Sequence, residues 1–298
     1  MIEQIFFLLI LITIGTILTQ SYNISLGYTG IFHLGHIGFY AIGAYTAGIL
    51  STTFQTSFLM NILLAFLFAG FAGFLIALPA IRLKSHYLAL ATLGFGEIIR
   101  IILLNWVSLT GGPLGITSIP APKILGVTFD GNFEKLVLYA GIAIVIHSII
   151  YKIVKSPYGK ILESIREDEI AAESLGKNVN KIKLQALTLS AGFAGIAGAL
   201  YAHGLYYIDP AIFTIHVMIF VLVMTITGGI GNFWGAIVGP FVIYGIFEPL
   251  RFFGSTGTIL GVDINIGALR IALYAAIFVI IIILRPQGII GIRKLTKK

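Results

Sequence analysis

The chain has 298 residues, 58% of them hydrophobic and 10% charged, with a mean hydropathy of +1.01. A soluble domain carries about 25% charged residues, so this composition excludes a solvated globule and leaves the lipid bilayer as the solvent. Cysteine is absent, which excludes disulfides and thiol chemistry, and the net charge of +7 gathers in a few short segments, as in a membrane protein rather than a nucleic-acid binder.

A helix crossing ~30 Å of hydrocarbon needs about 20 mostly apolar residues. Nine segments are predicted: 5–19, 30–50, 58–79, 87–106, 136–154, 184–207, 213–227, 234–247 and 267–284. Two or three are short or interrupted by Gly and Pro, so eight to ten spans fit the chain. The first has no basic residues before it and no small-residue cleavage site after it, so it reads as a retained span. The expected fold is all-α and polytopic, one transmembrane domain over 1–298 with a long polar loop at 155–183. Of the 19 Lys and Arg residues, 14 lie in three places: Arg82 with Lys84, seven between Lys152 and Lys183, and five from Arg285 onward. Threading nine spans puts all three on one side, which is predicted to be cytoplasmic together with the C-terminus.

Near the N-terminus, "SLGYTGIFHLGHIGFYAIGAY" (25–45) holds five glycines and two histidines without a charge. His33 and His36 are spaced to reach one ion from a helix, but no third ligand accompanies them, and catalytic metal sites usually use three. The other reading is neutral histidines on a polar interior face. The glycines permit close helix approach and a broken or re-entrant helix. No cofactor is predicted, and Asn23, Ser25, His33, His36 and Thr92 are candidate pathway residues.

Glu97 lies near the middle of the fourth segment. A charge there costs about 2.5–3.5 kcal/mol on insertion scales. Arg100 follows at helical spacing on the same face. Glu97 is therefore either half of a self-satisfied pair that staples helices together or a polar contact along a solute path. Further on, "LTGGPLGITSIPAPK" (109–123) is a Gly/Pro-rich outer connection, a plain connector or a surface for a soluble partner.

"KSPYGKILESIREDEIAAESLGKNVNKIKLQA" (155–186) is the long polar segment. Ile161, Leu162, Ile165, Ile170 and Leu175 recur at roughly helical spacing; Pro157 can start a helix and Gly176 can end one. Five acids, Glu163, Glu167, Asp168, Glu169 and Glu173, are expected to crowd one amphipathic helix that also offers this apolar stripe. It is a solvated hairpin or an element that docks into a groove of another protein. No G-x-x-x-x-G-K-[ST] motif occurs, and "GGIGNFWG" (228–235) lacks the spacing of a dinucleotide site and reads as a tight turn between spans. If this chain moves solute against a gradient with ATP, hydrolysis happens on another polypeptide.

The loop resembles the cytoplasmic coupling segment of bacterial ABC importer permeases. Their Glu-Ala-Ala, three residues, Gly signature is met by Ala171, Ala172 and Gly176, with Ile170 in the Glu place; the downstream Ile-x-Leu-Pro part has no match at its usual spacing. "SLGYTGIFHLGHIGFYAIGAYTAGIL", "RLKSHYLALATLGFGEIIRIILLNW", "LTGGPLGI", "SIREDEIAAESLG", "TGGIGNFWGAIVGP" and "LRPQGIIG" occur in order over nearly the whole chain and resemble the M-type subunit of the branched-chain amino-acid ABC permease family. The resemblance implies a non-enzymatic permease in the bacterial cytoplasmic membrane, carrying leucine, isoleucine, valine or a related small amino acid or amide such as urea. It implies as partners an H-type permease subunit, two cytoplasmic ATPase subunits, an extracytoplasmic substrate-binding protein and membrane lipid, with no nucleic acid. Coupling to the ATPases would fall to Arg166, Glu167, Asp168, Glu169, Ala171, Ala172 and Gly176, and Glu97 would join the pathway residues. A stand-alone secondary transporter is the rival class; it should show inverted repeats and several midplane carboxylates.

Overall fold

A computed structural model describes residues 2–80, 83, 85–247, 256–259, 262–265, 276, 279, 283 and 287–290. Arg82, Lys84, most of the predicted span 267–284 and the basic residues from Arg285 onward lie outside the described residues.

With no water in hydrocarbon, each span must satisfy its own backbone, and helices do so. In chain order they are α1 (Ile2–Asn23), continued by a π-helical turn (Ile24–Tyr28), then α2 (His36–Thr53), α3 (Phe58–Ala80) and α4 (Ser85–Asn105). A one-turn α5 (Val107–Thr110) and the β1–β2 hairpin (Lys123–Ile124, Val127–Thr128) follow. Then come α6 (Asn132–Lys155), the short α7 (Pro157–Glu167) and α8 (Glu169–Ser174), α9 (Val179–Leu205), α10 (Ile215–Gly228) and α11 (Phe233–Phe247). Strands β3 (Thr256–Ile259) and β4 (Val262–Asn265) pair antiparallel. Among the described residues five helices are long and apolar enough to cross a membrane: Ile2–Tyr28, Phe58–Pro79, His86–Asn105, Asn132–Lys155 and Val179–Leu205.

Helix α9 is the centre, packed on α1, α2 and α3. Lipid is as apolar as leucine, so helices associate in it through close van der Waals packing, which small residues allow. A Cβ on Gly43 of α2 would collide with the Gly195 carbonyl of α9, and one on Gly198 with the Tyr40 carbonyl. The α2–α9 crossing is therefore backbone against backbone, and α2 is buried along most of its length.

Contacts set the two ends of the bundle. At one end Asn132 Nδ2 donates to Glu3 Oε2 at 2.8 Å and Tyr206 Oη to Asp130 Oδ1 at 2.6 Å, so the starts of α1 and α6 and the end of α9 lie together. At the other end are the close of α6, the pair α7–α8 and the start of α9, carrying the seven basic residues from Lys152 to Lys183. We refer to these as the acidic and basic ends.

Three predicted segments differ from the expectation of separate full spans, the first being 30–50, which is helical only from His36 and is not among the five long apolar helices. Helices α10 and α11 have 14 and 15 residues and meet at 119° across a break of four residues or fewer. At 1.5 Å per residue each runs only ~21–23 Å, short of the hydrocarbon thickness. The cause is the sequence Gly229-Ile230-Gly231-Asn232: both glycines have positive φ, and Asn232 Oδ1 accepts from the Trp234 and Gly235 amides to start α11. Counted as one bent unit, the pair brings the candidate spans to six among the described residues.

Candidate functional site

The glycine-rich stretch is a helix break held inside the protein. After the π turn, Gly30 turns the chain with φ 74° and α2 begins at His36. Irregular backbone at membrane depth needs partners, and the break supplies them. The Ile31 amide donates to the Ser25 carbonyl (2.9 Å), the Leu34 amide to Thr92 Oγ1 (3.0 Å), and Tyr22 Oη to the His33 carbonyl (2.9 Å). Side chains add to these: Ser25 Oγ lies 2.9 Å from His33 Nε2 and 3.2 Å from Ser190 Oγ, and Ser21 Oγ 2.8 Å from His36 Nε2, while Nδ1 of each histidine is buried without a hydrogen-bond partner. Ser190 donates in turn to the Ser21 carbonyl at 2.7 Å, tying α9 to α1.

Of the predicted pathway residues, Asn23, Ser25, His33, His36 and Thr92 are all buried, and Ser25, His33, His36 and Thr92 are brought together around this break. Asn23 faces the α10–α11 turn, donating to the Asn232 carbonyl at 3.0 Å and accepting from the Gly231 amide at 2.9 Å. Glu97 is elsewhere, on an exposed face of α4, in a bidentate pair with Arg100. Among the described residues no three His, Cys, Asp or Glu side chains assemble into a metal site. Ser21, Ser190 and Asn232 went unnoticed in the sequence. Their signal is a polar residue inside an otherwise apolar or Gly-rich helical run, which does not say which neighbour it meets.

The polar loop folds into two short helices joined at Asp168. Ser156 caps α7 with Pro157 in its first turn, Asp168 accepts from the Ala171 amide at 3.0 Å to cap α8, and Asn178 does the same for Lys181 at the start of α9. Gly176 ends α8 with φ 77°. The five acids are thus split between two helices and the break between them, rather than carried on one helix. The apolar residues divide as well. Leu162, Ile165 and Ala172 are buried, the last two packing with Val179. Ile170 and Leu175, by contrast, are 77% and 80% exposed. Glu169 Oε2 accepts from Lys183 Nζ at 2.5 Å; Ala171, Glu167 and Asp168 are on the exposed side. Burial pushes the Tyr158 phenol up to about 12, and its ring packs against the core of the membrane domain.

Arg166 points the other way from these acids. Its Nη1 donates to the Gly27 carbonyl in the π turn. The guanidinium lies in a glycine cradle: a Cβ on Gly30 would sit 2.9 Å from Arg166 Cγ, and one on Gly231 would collide with Nη1. Asn232 Nδ2 donates to the Ile290 carbonyl at 2.7 Å, and the Ile289 and Ile290 amides donate to Thr227 and Gly228 at 2.8 and 3.1 Å. One knot at the basic end therefore joins the break after α1, the α10–α11 turn, residues 287–290 and, through Arg166, helix α7.

Long apolar helices, one broken inside the protein and two meeting at a sharp bend, define an all-α polytopic membrane protein. The family described as "Branched-chain amino acid transport system / permease component" matches residues 4–284, and the chain belongs to it. It is 36% identical to the "High-affinity branched-chain amino acid transport system permease protein LivM" of Escherichia coli over 92% of this chain and 67% of that one. It is 24% identical to the "Probable branched-chain amino acid transport permease protein LivM" of Methanocaldococcus jannaschii over 92% of this chain and 89% of that one. The same organism's "Probable branched-chain amino acid transport permease protein LivH" is 26% identical over 56% of this chain and 49% of that one. No solved structure matches the chain.

Proposed function

We propose that this chain is one of two membrane subunits of an ATP-driven importer for branched-chain amino acids in the bacterial cytoplasmic membrane. The single observation that carries the coupling is Arg166, which ties the exposed loop α7–α8 to the two broken segments. In this reading the basic end and the C-terminus are cytoplasmic. A cytoplasmic ATPase receives Ile170 and Leu175 in an apolar groove, with Glu167 and Asp168 at the rim and Ala171, Ala172 and Gly176 giving the loop its close fit. Movement of α7 then acts through Arg166 on Gly27 and Gly231, and so on the ends of α1, α10 and α11. A second ATPase serves an H-type permease partner.

The solute passes between the two permeases. Asn23, Ser25, His33, His36 and Thr92 hold the wall of that passage by bracing the break, and Glu97 lies on the face of α4 beside it. An extracytoplasmic binding protein docks at the acidic end, over the open depression of about 950 Å³ lined by Ser51, Gln55, Thr56, Ser118, Lys123 and His203. That docking uses the outer connection that contains "LTGGPLGI".

Co-purification from native membranes tests the assembly: a tagged chain is expected to bring down a second permease and an ATPase, and isolation of the chain alone would sink the proposal. Ile170→Asp and Leu175→Asp each place a charge in the proposed groove. Each is expected to cut ATPase recovery at least tenfold while leaving insertion intact, since both side chains project away from the fold. Undiminished recovery would move the docking site elsewhere.

A further inference from the structure

Each hydroxyl hydrogen around the break after α1 has one place to go. A backbone carbonyl only accepts, so a hydroxyl within hydrogen-bond distance of one gives its single hydrogen there. Ser21 Oγ lies 2.7 Å from the Leu18 carbonyl, and Ser190 Oγ 2.7 Å from the Ser21 carbonyl. Ser25 Oγ lies 3.0 Å from the Tyr22 carbonyl, and its other neighbour, Ser190, has already given its own hydrogen away. Tyr22 donates to the His33 carbonyl, and Thr92 turns its hydrogen to the Leu88 and Ala89 carbonyls. All of these hydrogens are used within the chain. Toward the histidines, Ser21 and Ser25 can therefore only accept.

Their partners, Nε2 of His36 and Nε2 of His33, must then carry the hydrogen. The ion pairs among the described residues are Arg100–Glu97 and Lys183–Glu169, so neither imidazole has a carboxylate beside it. An unpaired buried charge is costly, and both rings are neutral. A neutral imidazole with its hydrogen on Nε2 has a bare lone pair on Nδ1. Both Nδ1 atoms are buried without a partner, in side chains that are 0% exposed. The described rings beside them are Tyr22, at 5.1 and 5.0 Å between centroids, Phe39, at 6.4 Å from each, and one another at 5.6 Å. None of these has a hydrogen to offer: the phenyl ring has no donor, the tyrosine hydrogen is used, and each imidazole hydrogen is on Nε2. Buried polar atoms are nearly always satisfied by protein or by ordered water.

We infer that His33 and His36 are fixed as Nε2–H tautomers and bind ordered water through Nδ1, so that solvent sealed inside the protein completes the break. The accounting identifies the ligand. It must donate a hydrogen, carry no charge and be small enough to sit where the side chains have no exposed surface, and water meets all three. A metal ion would also take an imidazole lone pair, but the cluster supplies two nitrogens and no third ligand. Each histidine thus holds a serine of α1 or of its π-helical extension on one edge and water on the other.

High-resolution cryo-EM of the complex purified through a tag on this chain tests the site in wild-type protein, whatever that complex contains. Density is expected at about 2.7–3.2 Å from Nδ1 of each histidine. Density at about 2.0–2.1 Å would mean a metal ion and would overturn the inference. So would the lack of density at either Nδ1 in a map that resolves other buried waters. Variants test the tautomer. Glutamine places an amide hydrogen where histidine has Nε2 and leaves nothing at Nδ1; asparagine does the reverse. His33→Gln and His36→Gln are expected to keep the serine contact, to be recovered as folded protein and to lose the density beside the changed residue alone. His33→Asn and His36→Asn, which remove the donor to serine, are expected to lower recovery about fivefold. Asparagine variants recovered better than the glutamine variants would reverse the tautomer and overturn the inference, and should neither pair fold, the wild-type map decides.

Discussion

Arg166→Ala is expected to lower ATP-dependent uptake roughly tenfold or more, with the ATPase still recovered alongside the chain and still hydrolysing ATP. The reason is where the side chain goes. Its guanidinium leaves the exposed surface of α7, reaches the Gly27 carbonyl and fills the space that Gly30 and Gly231 leave open. A hydrogen bond to a charged group contributes about 1.5–3 kcal/mol, and 1.4 kcal/mol is a factor of ten. Losing it frees α7 from the break after α1 and from the α10–α11 turn, but the apolar surface offered to the ATPase, Ile170 and Leu175, is untouched. Arg166→Lys is expected to restore only part of the uptake, because a lysine ammonium lacks the planar fork that fits between two backbone segments. The ratio of solute moved to ATP hydrolysed, measured in one preparation, separates this from a folding defect. An unchanged ratio in Arg166→Ala would show that force travels by another route.

The second large effect concerns the core. Gly195→Leu is expected to abolish recovery of folded protein. A Cβ at this position would collide with the Ala65 carbonyl and lie 2.5 Å from Ala69 Cβ, while the Gly195 carbonyl leaves no room for a side chain at Gly43. Overpacking ordinarily costs about 1–3 kcal/mol. Here the obstacle is the Ala65 backbone and Ala69 of α3, so α3 and α9 must separate to admit the leucine. Gly141→Leu on α6, where a Cβ meets nothing within 4 Å, is the matched control and is expected to be recovered normally. The readout is the monodisperse fraction after detergent extraction; comparable peaks for both variants would contradict the tight crossing.

Helix positions were legible in the sequence because each apolar run of sufficient length has one stable solution in hydrocarbon. Pro157 and Gly176 marked the ends of the polar loop's helices, since the first fits a helix start and the second adopts positive φ. The Glu97–Arg100 pair followed from its i, i+3 spacing, and the glycines around residue 30 announced a break. What periodicity could not supply was direction. Asp168 stops α7 and caps α8, and the change of axis sends Ile161, Leu162 and Ile165 inward while Ile170 and Leu175 face out. Arg166, placed with the acids by its neighbours in sequence, turns toward the membrane domain because it precedes that stop. The tight turn read at 228–235 is found at Gly229–Asn232, but its angle was hidden, as two short apolar runs look alike whether they cross separately or meet at 119°.

In the proposed function, energy enters this chain from outside, through its exposed loop. The most direct measurement is leucine uptake by proteoliposomes holding the purified assembly and the binding protein, with ATP inside and all ion gradients collapsed. Accumulation that requires ATP and stops when the ATPase is left out is the predicted result. Accumulation by the chain alone, driven by an imposed ion gradient without ATP, would contradict it.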